Sequence, residues 1–254
     1  MNRLKVTVHF YGGLMAGISS KFATGVLLAS IALMTAPVEA QRSHGLSPDL
    51  PDSRTLRVQR KVDELYERGE FDRAYFIYRN ELVPIGDKYA QYMVGYMHLV
   101  GRGTDEDRVA ASAWYRLAAE RGTPEFVAVR NQLMHDLNAD ERRRSDDYYL
   151  GLRRQFSDLV VLLEVIKRKH RELQPSTGSR LARSSSPITV IDPKSANHPQ
   201  SGAVYYGRIE REMERKLLML AEIGDFPDLE TDPARVNIRD VERLVNERIG
   251  SIPD

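Results

Sequence analysis

Cysteine is missing from all 254 residues, which removes disulfides, thiolate metal sites, iron–sulfur ligation and a cysteine nucleophile together. A lipid-modified N-terminal cysteine goes with them. The absence does not weigh against an oxidising compartment, because a chain of this length can hold together through its core alone. A surplus of charge is missing too: 37 basic against 36 acidic residues leave a formal net charge of +1, so no global field steers the chain toward nucleic acid. Tryptophan occurs once. There is no Gly-x-Ser-x-Gly and no phosphate-cradling glycine loop. The six histidines, at 9, 44, 98, 135, 170 and 198, never recur at the three- or four-residue spacing that a helical metal site prefers. Alternation of period two and Asn-Gly or Asp-Gly hairpin turns are also lacking. These absences point away from catalysis, metals and cofactors, and away from sheet.

The first forty residues read as a targeting segment. Arg3, Lys5 and Lys21 precede an uncharged run from Phe22 to Met34, followed by Ala36-Pro37-Val38-Glu39-Ala40. The apolar run is short for a transmembrane helix, which needs roughly 20 residues, but it suits the core of a signal peptide with small residues before the cut. The expectation is a signal peptide over 1–40 and a periplasmic or secreted mature chain. The alternative is an inner-membrane anchor formed by an uncleaved 22–34 segment, lengthened backwards if Lys21 snorkels. Removing three basic groups and Glu39 leaves 34 basic and 35 acidic residues, so the mature chain is nearly neutral. Residues 41–54, with Pro, Ser and Asp and few large apolar groups, read as a flexible lead-in.

From residue 55 the apolar positions recur at helical spacing. Leu56, Val58, Val62, Leu65 and Tyr66 precede Gly69, and Phe71, Ala74, Ile77, Tyr78 and Leu82 follow it, which predicts a helical hairpin. Gly86-Asp87 ends one helix and caps the next, whose stripe is Ala90, Met93, Val94 and Met97. Gly101 and Gly103 stop that helix, and a fourth runs from about Asp107 to Arg121. Thr123-Pro124-Glu125 then reads as an N-cap with proline at the first helical position. Tyr149, Leu152, Phe156, Leu159, Leu163 and Ile166 recur at steps of three and four, predicting one long capping helix with a heptad seam. Residues 174–201, rich in Ser, Pro, Thr and Asn, read as a disordered linker. Residues 202–254 offer amphipathic helices through Ile209, Met213, Leu217 and Leu220 and through Val241, Leu244, Val245 and Ile249, a loosely attached tail whose removal at Gln174 leaves the 55–173 repeat domain folded.

The charged clusters take plain readings. Asp105-Glu106-Asp107 and Asp146-Asp147 look like cap and solvated face. Arg142-Arg143-Arg144, Arg153-Arg154 and Lys167-Arg168-Lys169 alternate with acids along the same segment, as the mixed-sign surface of an amphipathic helix does, and predict no nucleic-acid partner.

One internal period is visible. Ile77-Tyr78 and Trp114-Tyr115 lie 37 residues apart, and Ala90 and Phe126 lie 36 apart, spacings that suit a two-helix repeat. Ala90, Val94-Gly95, Gly101-Arg102-Gly103-Thr104, Asp107, Ala111, Trp114-Tyr115, Ala118-Ala119 and Gly122 then resemble a Sel-one-like repeat of the tetratricopeptide class. The small residues let two antiparallel helices approach to about 8–10 Å, with Trp114 and Tyr115 filling between them. Gly101 and Gly103 permit positive φ in the turn, and Asp107 suits the first turn of its helix. His98 stands where an aromatic is usual and reads as a packed histidine. Phe126 occupies a small-residue position, so the regular stack is expected to stop there.

The resemblance implies an all-α fold, a short helical-hairpin array (α-solenoid), and a non-catalytic scaffold for protein–protein interaction in a bacterial cell envelope, with a protein or peptide partner and no cofactor. An accessory cell-wall enzyme has localisation alone behind it. The 149–166 seam leaves a homo-oligomer open as a second reading. For the partner's seat the helical wheel offers Tyr89, Tyr92, Tyr96 and Leu99, a stripe on another side from the intra-repeat face. In tetratricopeptide-like arrays the first helix of each pair lines the concave groove, and tyrosine combines a broad apolar face with a hydroxyl tip. The competing reading packs that stripe against the preceding hairpin.

The export reading has a direct check. The N-terminal sequence of the mature protein is expected to start at Gln41, and recovery of the full-length chain in the membrane fraction would mean that 22–34 remains as an anchor.

Overall fold

A computed structural model describes residues 53–174, 189–190 and 200–252. The segment read as a signal peptide, nearly all of the lead-in and most of the 174–201 linker lie outside these residues. Within them the chain is a series of helices: α1 (Ser53–Glu67), α2 (Phe71–Ile77), α3 (Lys88–Val100), α4 (Arg108–Ala118), α5 (Pro124–Asp136), α6 (Ala139–Phe156), α7 (Asp158–Leu173), α8 (Gly202–Gly224) and α9 (Ile238–Ile249). The all-α expectation holds. The sole extended pairing among the described residues joins two-residue strands, β1 (Thr189–Val190) and β2 (Gln200–Ser201), antiparallel with Thr189 opposite Ser201.

The first hairpin forms as its apolar spacing requires. Val62 and Leu65 turn inward from α1, and Ala74 and Ile77 from α2, while Tyr66 and Phe71 meet edge-to-face across the turn with centroids 5.2 Å apart. Helix α2 runs on into a π turn over Tyr78–Leu82 and a tight 3-10 turn over Val83–Ile85. Pro84 has no N–H to extend a helix, so the chain leaves at Gly86, whose φ is 79°. Asp87 then caps α3, its carboxylate accepting from Ala90 N at 3.0 Å.

Helices α3 and α4 form the tightest pair. A Cβ at Gly95 would stand 2.9 Å from Tyr115 Cδ1 and 3.1 Å from Trp114 Cβ, so a side chain there would push the two helices apart. The turn between them is equally constrained. Gly103 has φ +72°, and a Cβ on it would lie 2.4 Å from the carbonyl oxygen of Phe71, so the repeat's turn sits directly on the start of α2. Asp107, expected within the first turn of α4, is its N-cap: Oδ1 accepts from Val109 N and Ala110 N, each at 2.9 Å. Thr123 holds the N-cap position before Pro124 as the sequence predicts, but its hydroxyl makes no capping bond.

Phe126 does not end the packing. Its ring stacks on Tyr92 at 5.4 Å, so α5 docks where another repeat would begin, and α6 lies along α4 with Ser112 and Ser145 hydroxyls 2.6 Å apart. Helix α6 opens with a capping box, Asn138 and Glu141 each bonding the other's backbone N–H. It then stops. The single helix expected across the 149–166 seam is two helices, because Ser157 (φ −61°, ψ 156°) leaves the helical region and caps α7. The seam is thereby divided: Tyr149 and Leu152 join a first core with α1 to α5, whereas Leu159, Leu163 and Ile166 join a second.

That second core belongs to the tail. Ile209, Met213, Leu217 and Leu220 of α8, with Val241, Val245 and Ile249 of α9, close over α7 and are at most 4% exposed. Lys167 bonds Glu242 at 3.0 Å, and Lys169 pairs with Glu212. The tail is thus seated on α7 through its apolar face, which is more than the composition of residues 174–201 suggests. Truncation after Gln174 would expose the Leu159–Ile166 face, each buried leucine having contributed about 2 kcal/mol. The thermal midpoint is expected to fall by on the order of 10 °C, and an unchanged melt of the 41–174 fragment would show that the second core adds nothing.

Candidate functional site

The tyrosine stripe is the first place to look, and the structure closes it. Tyr92 is wholly buried and Tyr89 and Tyr96 nearly so, while Leu99 is half-buried. Tyr89 meets Tyr78 and Tyr92 at 6.5 and 6.4 Å, and Tyr92 meets Tyr115 at 5.2 Å as well as Phe126. Tyr66 lies close enough to Tyr96 for the second ring to join burial in raising its pKa to about 12. The stripe is therefore an aromatic column joining the first hairpin, the repeat and α5, and no open groove runs along it. The periodicity had located one face of α3; what covers that face is decided by α1, α2 and α5.

The residues that carry the repeat pattern come together as the pattern implies. Ala90, Ala111, Ala118 and Trp114 are fully buried, Tyr115 and Ala119 nearly so, and Gly101, Gly103 and Gly122 all hold positive φ. Arg79 lies over both Trp114 and Phe156, 5.0 and 4.5 Å from their centroids, tying the first hairpin to the end of α6. His98 is packed: its Nε2 is 3.1 Å from Tyr75 Oη, and burial lowers its pKa, with Asp107 opposing.

At the far end of the repeat sits a group of charges that spacing along the chain does not reveal. Lys88 begins α3 with its side chain 2% exposed, and its Nζ donates to Leu117 O at 2.8 Å and Glu120 Oε2 at 3.0 Å. It also stands 3.1 Å from Asp158 Oδ1. Asp158, 3% exposed, accepts a forked pair from Arg121, Nε at 2.8 Å and a terminal nitrogen at 2.9 Å. Arg121 reaches on to Gly86 O at 2.9 Å. Burial favours the neutral acid in Asp158, yet Lys88 and Arg121 outweigh it and hold the carboxyl below its ordinary value. The cluster fastens the start of α3, the end of α4 and the start of α7 to one another.

Beside this cluster opens a cleft of about 460 Å³. Arg116 and Glu120 enter it from the repeat, Arg130 and Met134 from α5, Tyr149 and Arg153 from α6, and Arg248 and Ser251 from the end of the tail. Leu159 and Ile223 supply apolar wall. Arg116 lies over Tyr149, 4.2 Å from its centroid, and bonds Asp146 at 2.7 Å. Burial and Glu120 push the Tyr149 hydroxyl up to about 12, and Arg153, Arg116 and Arg130 pull against that rise, which places three guanidinium groups around one ring. Arg153 is held by backbone carbonyls of the tail, Arg248 O at 3.3 Å and Ser251 O.

The cleft residues and their ion-pair partners carry six cations (Lys88, Arg116, Arg121, Arg130, Arg153, Arg248) against three carboxylates, Glu120, Asp146 and Asp158. Charge patterning predicts one solvated patch at Arg153-Arg154, whereas Arg153 is buried and Arg154 exposed. The break at Ser157-Asp158 was the available signal, since a serine followed by an acid opens helices. Among the described residues no group of His, Cys, Asp and Glu is arranged to hold a metal ion, and no helix is long and apolar enough to cross a membrane.

Comparison with known families supports the repeat. Residues 88–123 match the family model of the Sel1 repeat, which covers α3, α4 and the turn after them and leaves the flanking hairpins unmatched. No curated protein and no solved structure matches the chain at a significant level.

The buried cluster has a pH signature. A carboxyl whose folded pKa is depressed stabilises the fold fully above its unfolded value of about 3.9, and that contribution is lost as pH falls through the lower folded value. Asp158→Asn is expected to cost about 3 kcal/mol at neutral pH, because Lys88 and Arg121 lose their buried counter-charge. The gap to wild type should close at pH values below about 4. Denaturant melts of both proteins at each pH check this, and a penalty that persists undiminished in acid would remove Asp158's charge from the account.

Proposed function

We propose that this chain is a non-catalytic scaffold that holds a protein or peptide partner in a bacterial cell envelope, acting there after export. The Sel1 repeat match over 88–123 carries the reading, because such repeats generally mediate protein–protein interaction. The architecture supports it: stacked helical pairs extend a binding surface without needing a catalytic centre. The envelope location rests on the order of basic, apolar and small residues before Gln41.

The rival, a homo-oligomer zipped through the 149–166 seam, loses its basis in the packing. Tyr149, Leu152, Leu159, Leu163 and Ile166 are each no more than 5% exposed within the single chain, on two helices that α4 and the tail already cover. Aromatic anchors of the stripe are likewise spent on the core.

Mature protein tagged at either end is expected to retain one reproducible partner from envelope extract, with Tyr92→Ala lowering stability by about 3 kcal/mol through loss of a buried ring. Solution mass settles the rival. A stable dimer that captures nothing when made monomeric would replace the scaffold with a structural oligomer.

A further inference from the structure

The surplus of cations in the cleft is not evenly spent. Arg116 has Asp146 and the Tyr149 ring, Lys88 has Asp158 and Glu120, Arg121 has Asp158, and Arg153 shares Glu120. Among the described residues Arg130 bonds no carboxylate: its Nε and one terminal nitrogen both go to the neutral side-chain oxygen of Asn131, at 3.0 and 2.8 Å. Arg153 is 8% exposed at its side chain, and its Nε, with no hydrogen-bond acceptor among the described residues, is ion-paired with Glu120 Oε1 at 3.6 Å. That nitrogen is sealed from solvent and its charge is met by Glu120, so the cations left to meet a ligand in the cleft are Arg130 and Arg248. Arg248, exposed at the end of α9, forms the rim, and Met134, Leu159 and Ile223 line the remaining wall.

We propose that this cleft binds the carboxylates of an acidic segment of a protein partner, with an apolar side chain of the same segment against Ile223 and Leu159. The inference rests on the scaffold reading and names where, and by what chemistry, the partner is held. Guanidinium groups present paired donors that match a carboxylate, and such charge-assisted bonds strengthen where water is thin. Buried Tyr149 and Leu159 supply that condition in the wall, whereas Arg130 and Arg248 supply the charge that gathers the ligand. A cleft of about 460 Å³ takes a few side chains, not a helix or a nucleic-acid backbone. The apolar wall selects an acid with a hydrophobic neighbour over a free anion. The cleft's wall includes the tail, so the site exists only when α9 is docked on α7.

The test uses the full mature chain and two fluorescein-labelled hexapeptides, one alternating Glu and Leu, the other alternating Gln and Leu. Fluorescence anisotropy is expected to show binding of the acidic peptide alone, weakened by added salt. Binding should weaken by about tenfold in the double variant Arg130→Gln/Arg248→Gln. Neither side chain is needed for packing, so circular dichroism of that variant should match wild type; a variant that unfolds is replaced by Arg130→Lys/Arg248→Lys, which keeps the charge, loses the fork and should bind at an intermediate level. Equal binding of the two peptides, or equal affinity of wild type and double variant, overturns the assignment. So does binding of phosphatidylglycerol vesicles in place of the acidic peptide, which would make the cleft a lipid headgroup site. A partner captured equally by wild type and double variant rejects the cleft and leaves the scaffold standing. Acidic-peptide binding that follows the arginines while no envelope partner is ever captured rejects the scaffold instead.

Discussion

Asp158 sits almost wholly out of water with two cations against it, and the placement of three helices follows from that arrangement. Removing a carboxylate from solvent is so unfavourable that it is tolerated only where its partners are fixed in place. Lys88 can reach it because Asp87 caps α3 directly before. Arg121 can reach it because the 3-10 turn after α4 swings that side chain back toward Gly86. The carboxylate itself opens α7, where the helix dipole favours a negative charge. Were any of the three backbone ends displaced by one residue, an unpaired charge would be left inside.

This constraint explains why the molecule has two cores and not one. The heptad-like seam would carry α6 straight on past Phe156. The chain instead turns at Ser157 so that Asp158 meets its cations, and the apolar residues beyond it face away from the repeat. They then require a cover of their own, which α8 and α9 provide. The cleft opens at the meeting of the two cores, and its basic lining comes from both.

What could be read from the sequence was local. The Gly95 contact, the Asp87 cap and the small-residue faces of α3 and α4 depend on residues within or next to one repeat, and their spacing records them. The fate of the tyrosine stripe was not local: Tyr92 has the same helical phase whether a partner or Phe126 lies against it. The turn at Ser157 was hidden because Phe156 and Leu159 keep the three-residue step across the break. Arg153 and Arg154 are adjacent in the chain and opposite in environment, a distinction that charge patterning does not carry. The cleft was unreadable for the same reason, its lining coming from residues between 116 and 251.

The seating of α8 and α9 on α7 gives the tail the character of a ligand joined covalently to its own receptor. Because tail and receptor belong to one chain, adhesion too weak to assemble two separate molecules suffices to keep this one assembled. Covalent continuity and physical attachment thereby become separable properties: a cut between Gln174 and Ser201 would convert a wall of the molecule into a dissociable subunit. The occupancy of that wall would then depend on dilution.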